Sequence, residues 1–180
     1  MTVVLIILSI LFWLAGLVCL FRRQLLGPAF GYLGLLTLSF ARQDGVPLLP
    51  ISSTMLWAWL AMTIAVMVAV MLQPAQVSRG SHGEGYMLGG AVTGLAVGLL
   101  GFTATADISL LYGIMIVAVA AGVFLGFLLY SRTPHGSTYG VQSGRFFSYL
   151  LAKGFPTAIT VMQIGVALVL AVALHTLVNP

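Results

Sequence analysis

Charged residues are scarce in this chain. Seven basic and three acidic residues occur among 180, which is 6% of the sequence, whereas soluble domains carry about 25%. Hydrophobic residues make up 61%, more than a soluble fold of this length could hide from water. The composition therefore excludes a soluble protein. The net charge of +4 comes from scattered residues, which excludes the clustered basic stripe of a nucleic-acid surface.

Cysteine and asparagine are nearly absent. Cys19 is the single cysteine, which excludes an internal disulfide, a CxxC redox pair and a thiolate metal cluster. The single asparagine, Asn179, precedes a proline, so there is no glycosylation sequon. His82 and Glu84 form an HxE triplet, but a zinc site needs three or four ligands and His135 lies in a different loop. We expect no metal and no cofactor.

Long apolar runs dominate what is present. A helix of about 20 apolar residues spans a bilayer, and the runs predict spans at about 2–21, 25–40, 55–72, 86–103, 108–130 and 156–178. The second run is short and either crosses fully or re-enters the membrane. The predicted fold is all-α, a polytopic transmembrane bundle of about six helices. It forms a single integral membrane domain over residues 1–180, without a soluble domain.

Small residues recur every four positions in two neighbouring spans. Residues four apart share one face of a helix, and small residues allow close helix contact in lipid. The fourth span carries Gly90, Gly94 and Gly98, and the fifth carries Ala118, Gly122 and Gly126. We expect the two stripes to pack as a hairpin, with the fourth span at the centre of the bundle. The alternative is a seam between two chains.

The distribution of basic residues predicts the orientation. Cytoplasmic loops of membrane proteins carry an excess of Lys and Arg. The connections after spans one, three and five hold Arg22, Arg23, Arg79, Arg132, Arg145 and Lys153. The opposite side holds Arg42, together with Asp44 and Asp107. We therefore expect a multi-pass protein of a plasma membrane, such as a bacterial inner membrane, with both termini extracytoplasmic.

Residues 142–153 form an amphipathic segment before the last span. Bulky apolar residues alternate there with Arg145 and Lys153 at helical spacing. The pattern predicts a short helix in the membrane interface, with the two bases directed toward anionic lipid headgroups. The alternative is an ordinary hydrated linker.

Ionisable residues inside spans are a usual pointer to function, and few are present. Asp107 opens the fifth span, where a carboxylate either caps the helix or belongs to an ion site. Glu84 has capping-box spacing from Ser81. His175 lies near the outer end of the last span and is a weak candidate. The scarcity of embedded charge argues against proton- or sodium-coupled transport.

Gln163 is the most deeply placed polar residue. It lies about two turns into the last span, one turn after Thr160. An amide in hydrocarbon needs a partner, so it either joins two helices or lines a pore. In the pore interpretation Thr93 contributes a further polar contact.

Three classes of function are compatible with the sequence, of which we expect the first, with the second and third as alternatives. The first is a non-catalytic membrane-embedded subunit of a larger complex, whose partners are other membrane chains or copies of itself. The second is a small homo-oligomeric channel or carrier for an uncharged or weakly polar solute. The third is a membrane enzyme acting on a lipid or quinone. The spans carry no paired carboxylates, histidine cluster or usable cysteine, which argues against an enzyme.

Overall fold

The computed structural model describes residues 2–22, 24–43, 46–49, 51–73, 77, 83–100 and 108–178. Its helices are α1 (Thr2–Arg22), α2 (Gly27–Ser39), α3 (Ser53–Met71), α4 (Glu84–Leu100), α5 (Ile108–Ser131), α6 (Phe146–Tyr149) and α7 (Phe155–Val178). Short 3₁₀ turns occupy Gln24–Leu26 and Ser137–Tyr139, and a π-helical segment, Leu150–Gly154, joins α6 to α7. After α2, β1 (Arg42–Gln43) pairs antiparallel with β2 (Val46–Pro47).

Four helical stretches are long and apolar enough to cross a membrane. They are Thr2–Arg22, Ser53–Met71, Leu110–Ser131 and Phe146–Ala171. Helix α4 has 17 residues and α2 has 13, so they are about 26 Å and 20 Å long. These four stretches confirm a helical membrane protein, in which the helices satisfy the backbone polar groups that lipid cannot, whereas six crossings stay a prediction.

Residues at the helix starts explain several boundaries. The Ser52 side chain accepts a hydrogen bond from the Met55 backbone N–H at 3.2 Å and caps α3. Pro28 lies in the first turn of α2, where its missing N–H removes no helical hydrogen bond. Gly83 immediately precedes α4 with a φ of 111°, a left-handed conformation that glycine adopts at little cost.

The last helix lies at the centre of the bundle, which corrects the expectation that the glycine-rich fourth span does so. Within Phe146–Ala171, 78% of the residues in the apolar window are buried, against 17% for α1 and 22% for α3. Helix α7 contacts α1, α2, α3, α4 and α5. It is central because it carries polar groups on one face, which are costly in lipid unless other helices cover them.

The final helix also begins earlier than its apolar run. Residues 146–154 are its first turns and continue without a break into α7, so the segment predicted at 142–153 is, from residue 146 onward, part of the last helix and not a separate short helix. Pro156 lies inside this helix, where its ring removes a hydrogen bond and crowds the preceding turn. The widened π-helical turn at Leu150–Gly154 directly before it accommodates that disturbance.

Candidate functional site

The two predicted small-residue stripes face each other in one chain. A Cβ atom on Gly90 would lie 2.0 Å from the Gly122 carbonyl oxygen, and one on Gly94 would lie 2.2 Å from that of Ala118. On Gly126 it would lie 2.2 Å from the Tyr86 carbonyl oxygen. Gly98 would meet the backbone of Met115 in the same way, at 2.8 Å. These residues bring the backbones of α4 and α5 into direct contact.

A buried ion pair connects α4 to the last helix. The Lys153 Nζ donates a hydrogen bond to Glu84 Oε1, and the two side chains are 0% and 9% exposed. The prediction directed Lys153 toward lipid headgroups. Its side chain instead lies within the bundle and does not face them. Glu84 stands in the first turn of α4, and Ser81, its expected capping partner, lies outside the described residues. The signal available in the sequence was that the predicted spans place this base and this acid on the same side of the membrane.

Tyrosine rings surround this pair on the side where α5 ends and the last helix begins. We call Tyr86, Tyr130, Tyr139 and Tyr149 the tyrosine cluster. The Tyr149 ring stacks on Tyr139 at 4.5 Å and on Tyr130 at 5.6 Å between centroids. The Lys153 ammonium lies 5.7 Å from the centre of the Tyr149 ring, within range of a cation–π attraction. Tyr149 thus connects the tyrosine cluster to the ion pair.

Polar residues continue from Lys153 along one face of α7. The polar face comprises Lys153, Thr157, Thr160 and Gln163, at spacings of three and four that keep them on one side of a helix. None of the four is more than 1% exposed. The Thr157 hydroxyl donates to the Lys153 carbonyl at 2.8 Å, and the Thr160 hydroxyl donates to that of Pro156 at 2.7 Å. The threonines are thus satisfied within their own helix.

The Gln163 amide instead reaches a neighbouring helix. Its Nε2 donates to the Thr63 hydroxyl at 2.8 Å, and Thr63 in turn donates to the Trp59 carbonyl at 2.7 Å. The Trp59 indole then donates to the Tyr112 hydroxyl at 2.8 Å. Because the Thr63 proton is used on Trp59, Thr63 can only accept from Gln163, which sets the orientation of the amide. A chain of hydrogen bonds thereby connects the polar face of α7 through α3 to α5.

Helix α2 covers the polar face with glycines. A Cβ atom on Gly31 would lie 2.2 Å from the Gln163 Oε1, and one on Gly27 would lie 3.2 Å from the Thr160 hydroxyl oxygen. The Gln163 Oε1 is buried and has no hydrogen-bond partner. The sequence contained a hint of this contact, because Gly27 and Gly31 are four residues apart and share one side of α2.

The remaining candidates lie apart from this site. Thr93 is exposed on α4 and donates to the Gly89 carbonyl at 2.9 Å, so it does not join Gln163. Arg145 is exposed. Asp107 lies outside the described residues, as does the side chain of His175. Within the described ranges, no group of three or more His, Cys, Asp or Glu residues could hold a metal ion.

Comparison with known protein families, curated proteins and solved structures gives no match. The site offers a self-neutralising ion pair at one end, followed by neutral hydroxyl, amide and indole groups toward the membrane interior. Such a set can hydrogen-bond a neutral polar molecule, but beyond the paired Lys153 and Glu84 it presents no charge to an ion.

Proposed function

We propose that this protein is a small homo-oligomeric channel or carrier that passes an uncharged polar solute along the polar face of α7. The observation that carries the proposal is the burial of that face, from Lys153 to Gln163, with at most 1% exposure inside an apolar bundle. Buried polar groups are expensive in a membrane and usually mark a functional route.

The proposal places the chain in a bacterial inner membrane with six crossings, no soluble domain and both termini outside. Support comes from charge. The Glu84–Lys153 pair cancels internally, but in the sequence the connections after the first, third and fifth predicted spans still hold Arg22, Arg23, Arg79, Arg132 and Arg145, against Arg42 in the other connections. This excess marks the cytoplasmic side. The shorter α2 and α4 pack against α1 and α5 respectively, and we propose that they form the two additional crossings.

The solute is uncharged because the route offers no net charge. An ion moved into a low-dielectric interior needs an opposite charge to compensate its lost hydration. Lys153 and Glu84 already compensate each other, and Thr157, Thr160 and Gln163 are neutral. The embedded pair revises the expectation that charge is missing from the bundle, while its pairing favours the neutral-solute function.

Solute flux in proteoliposomes tests this function. Stopped-flow light scattering with glycerol and urea should show faster permeation than in empty liposomes, and Gln163→Leu should abolish the increase. Thr93→Val is the matched control, since it removes a hydroxyl from an exposed position and should leave the flux unchanged. Equal flux in protein-containing and empty liposomes would refute the proposal.

A membrane-embedded subunit is the second candidate, and the outward face of α4 favours it. Gly85 and Gly89 have open space where a Cβ would stand, and with Thr93 they repeat every four residues. A groove of about 610 Å³ runs over this face and α5. Helices of other membrane chains associate through small-residue faces of this kind. Native mass analysis in mild detergent should detect a second polypeptide, and a preparation containing this chain alone would exclude a hetero-complex.

A further inference from the structure

Two buried polar atoms without partners lie against α2. In the part of the chain that the structure describes, the buried side-chain atoms lacking a hydrogen bond are Trp13 Nε1, Ser143 Oγ and Gln163 Oε1. Ser143 lies in a turn before α6. The other two belong to α1 and α7, and each faces a glycine of α2. A lone donor and a lone acceptor inside hydrocarbon both gain free energy when a partner arrives.

The two atoms lie beside glycines on the same turn of α2. A Cβ atom on Gly34 would lie 2.3 Å from Trp13 Nε1, and one on Gly31 would lie 2.2 Å from Gln163 Oε1. Cβ positions three residues apart on a helix are about 5–6 Å from each other. The donor and the acceptor are therefore within about 10 Å of each other, and the two glycines separate them.

The neighbouring groups that could pair with these two atoms are already used in other hydrogen bonds. The Gln163 amide cannot turn over to satisfy its oxygen, because the Thr63 proton is already given to the Trp59 carbonyl at 2.7 Å. The Gly34 carbonyl next to Trp13 already accepts from the Ser9 hydroxyl at 2.8 Å. An indole N–H can only donate. The described helices therefore supply no hydrogen-bond partner to either atom.

We propose that α2 covers a binding site for a small neutral molecule carrying both a hydrogen-bond acceptor and a donor. The acceptor pairs with Trp13 Nε1–H and the donor pairs with Gln163 Oε1. Primary amides, ureas and polyols have this chemistry. The inference rests on the proposed function, because it names the solute class and the contact atoms of the same route.

Helix α2 is the element that must move to admit the molecule. It has 13 residues, about 20 Å, and is shorter than the hydrocarbon thickness of about 30 Å. Its faces toward α1 and α7 carry Gly27, Gly31 and Gly34, so no side chain of these three positions interlocks with either neighbour. A small displacement of α2 therefore opens the space between Trp13 and Gln163.

The three tryptophans provide a direct binding assay. Protein labelled with ¹⁵N-tryptophan in detergent micelles has three indole N–H signals, and Trp13→Phe assigns the relevant one. Titration with acetamide should shift the Trp13 signal with saturation. Trp57 is 69% exposed and serves as the internal control for bulk solvent effects, with a small shift that rises linearly.

A second ligand separates the two contacts. N,N-dimethylacetamide accepts a hydrogen bond but cannot donate one, so Gln163→Met should leave its binding unchanged, which also verifies the fold of the variant. Acetamide should bind the same variant about fivefold more weakly, the factor expected for one typical hydrogen bond. Glycerol should behave as acetamide does.

The inference is overturned if acetamide shifts all three indoles linearly, or if Gln163→Met weakens both amides equally. These outcomes are separable from failure of the proposed function. Gln163-dependent flux of glycerol or urea without a saturable Trp13 shift would refute this binding site alone. A saturable shift without flux would refute the transport function and leave the site in place.

Discussion

The Lys153–Glu84 pair is the sharpest target for mutation, because both side chains lie within the bundle. Replacing one partner of a buried pair leaves the other charge uncompensated, at a cost of about 3–5 kcal/mol in the free energy of unfolding. The side chains here are 0% and 9% exposed, so solvent screening reduces this figure little. We expect losses in that range for Lys153→Met and Glu84→Met alone.

The two single variants should lose similar amounts of stability. Glu84 lies in the first turn of α4, where the positive end of the helix dipole still stabilises a lone carboxylate by about 0.3–1 kcal/mol. The Lys153 ammonium lies 5.7 Å from the centre of the Tyr149 ring, and this cation–π contact is worth about 0.5–2 kcal/mol. Each remaining charge thus keeps part of its stabilisation.

The double variant completes the cycle. With both charges removed and two flexible apolar side chains in their place, stability should return to within about 1 kcal/mol of the wild type or exceed it. Unfolding in mixed micelles of mild detergent and SDS measures all four proteins, with the exposed Arg145→Met as a control expected to change little. Additive losses in the double variant, or single losses below about 1 kcal/mol, would refute the buried pair.

Further expectations follow from the glycines and the charge distribution. Gly94→Leu should destabilise the bundle by at least about 1–3 kcal/mol in the same unfolding assay, because a Cβ there lies 2.2 Å from a carbonyl oxygen of α5. Gly89→Leu should have little effect, since a Cβ at Gly89 meets open space. Equal losses in the two variants would refute the close contact between α4 and α5. Gly83→Ala should cost about 1–3 kcal/mol, since its φ is 111°; unchanged stability would refute that conformation. A reporter fused after Pro180 should be extracytoplasmic and one at Gly136 cytoplasmic, and the reverse result would overturn the orientation.

The local pattern of the sequence predicted part of the architecture. Glycine spacing on the fourth and fifth spans placed small residues where α4 and α5 make backbone contact, because that contact depends on helical periodicity alone. The start of the last helix was not predictable from hydropathy, since residues 146–154 mix polar and apolar side chains. They belong to the helix because Tyr149 and Lys153 have partners on α4 and α5.

Composition alone determined that the surroundings are lipid and that the chain is helical. The side chains are largely apolar, and in lipid the backbone must satisfy its polar groups internally. Only the tertiary structure decided the candidate site. Lys153 lies 69 residues from Glu84, and Gln163 lies 100 residues from Thr63. Whether such groups meet depends on how the helices pack side by side. Periodicity assigns a residue to a face of its helix, but it does not identify the helix opposite that face.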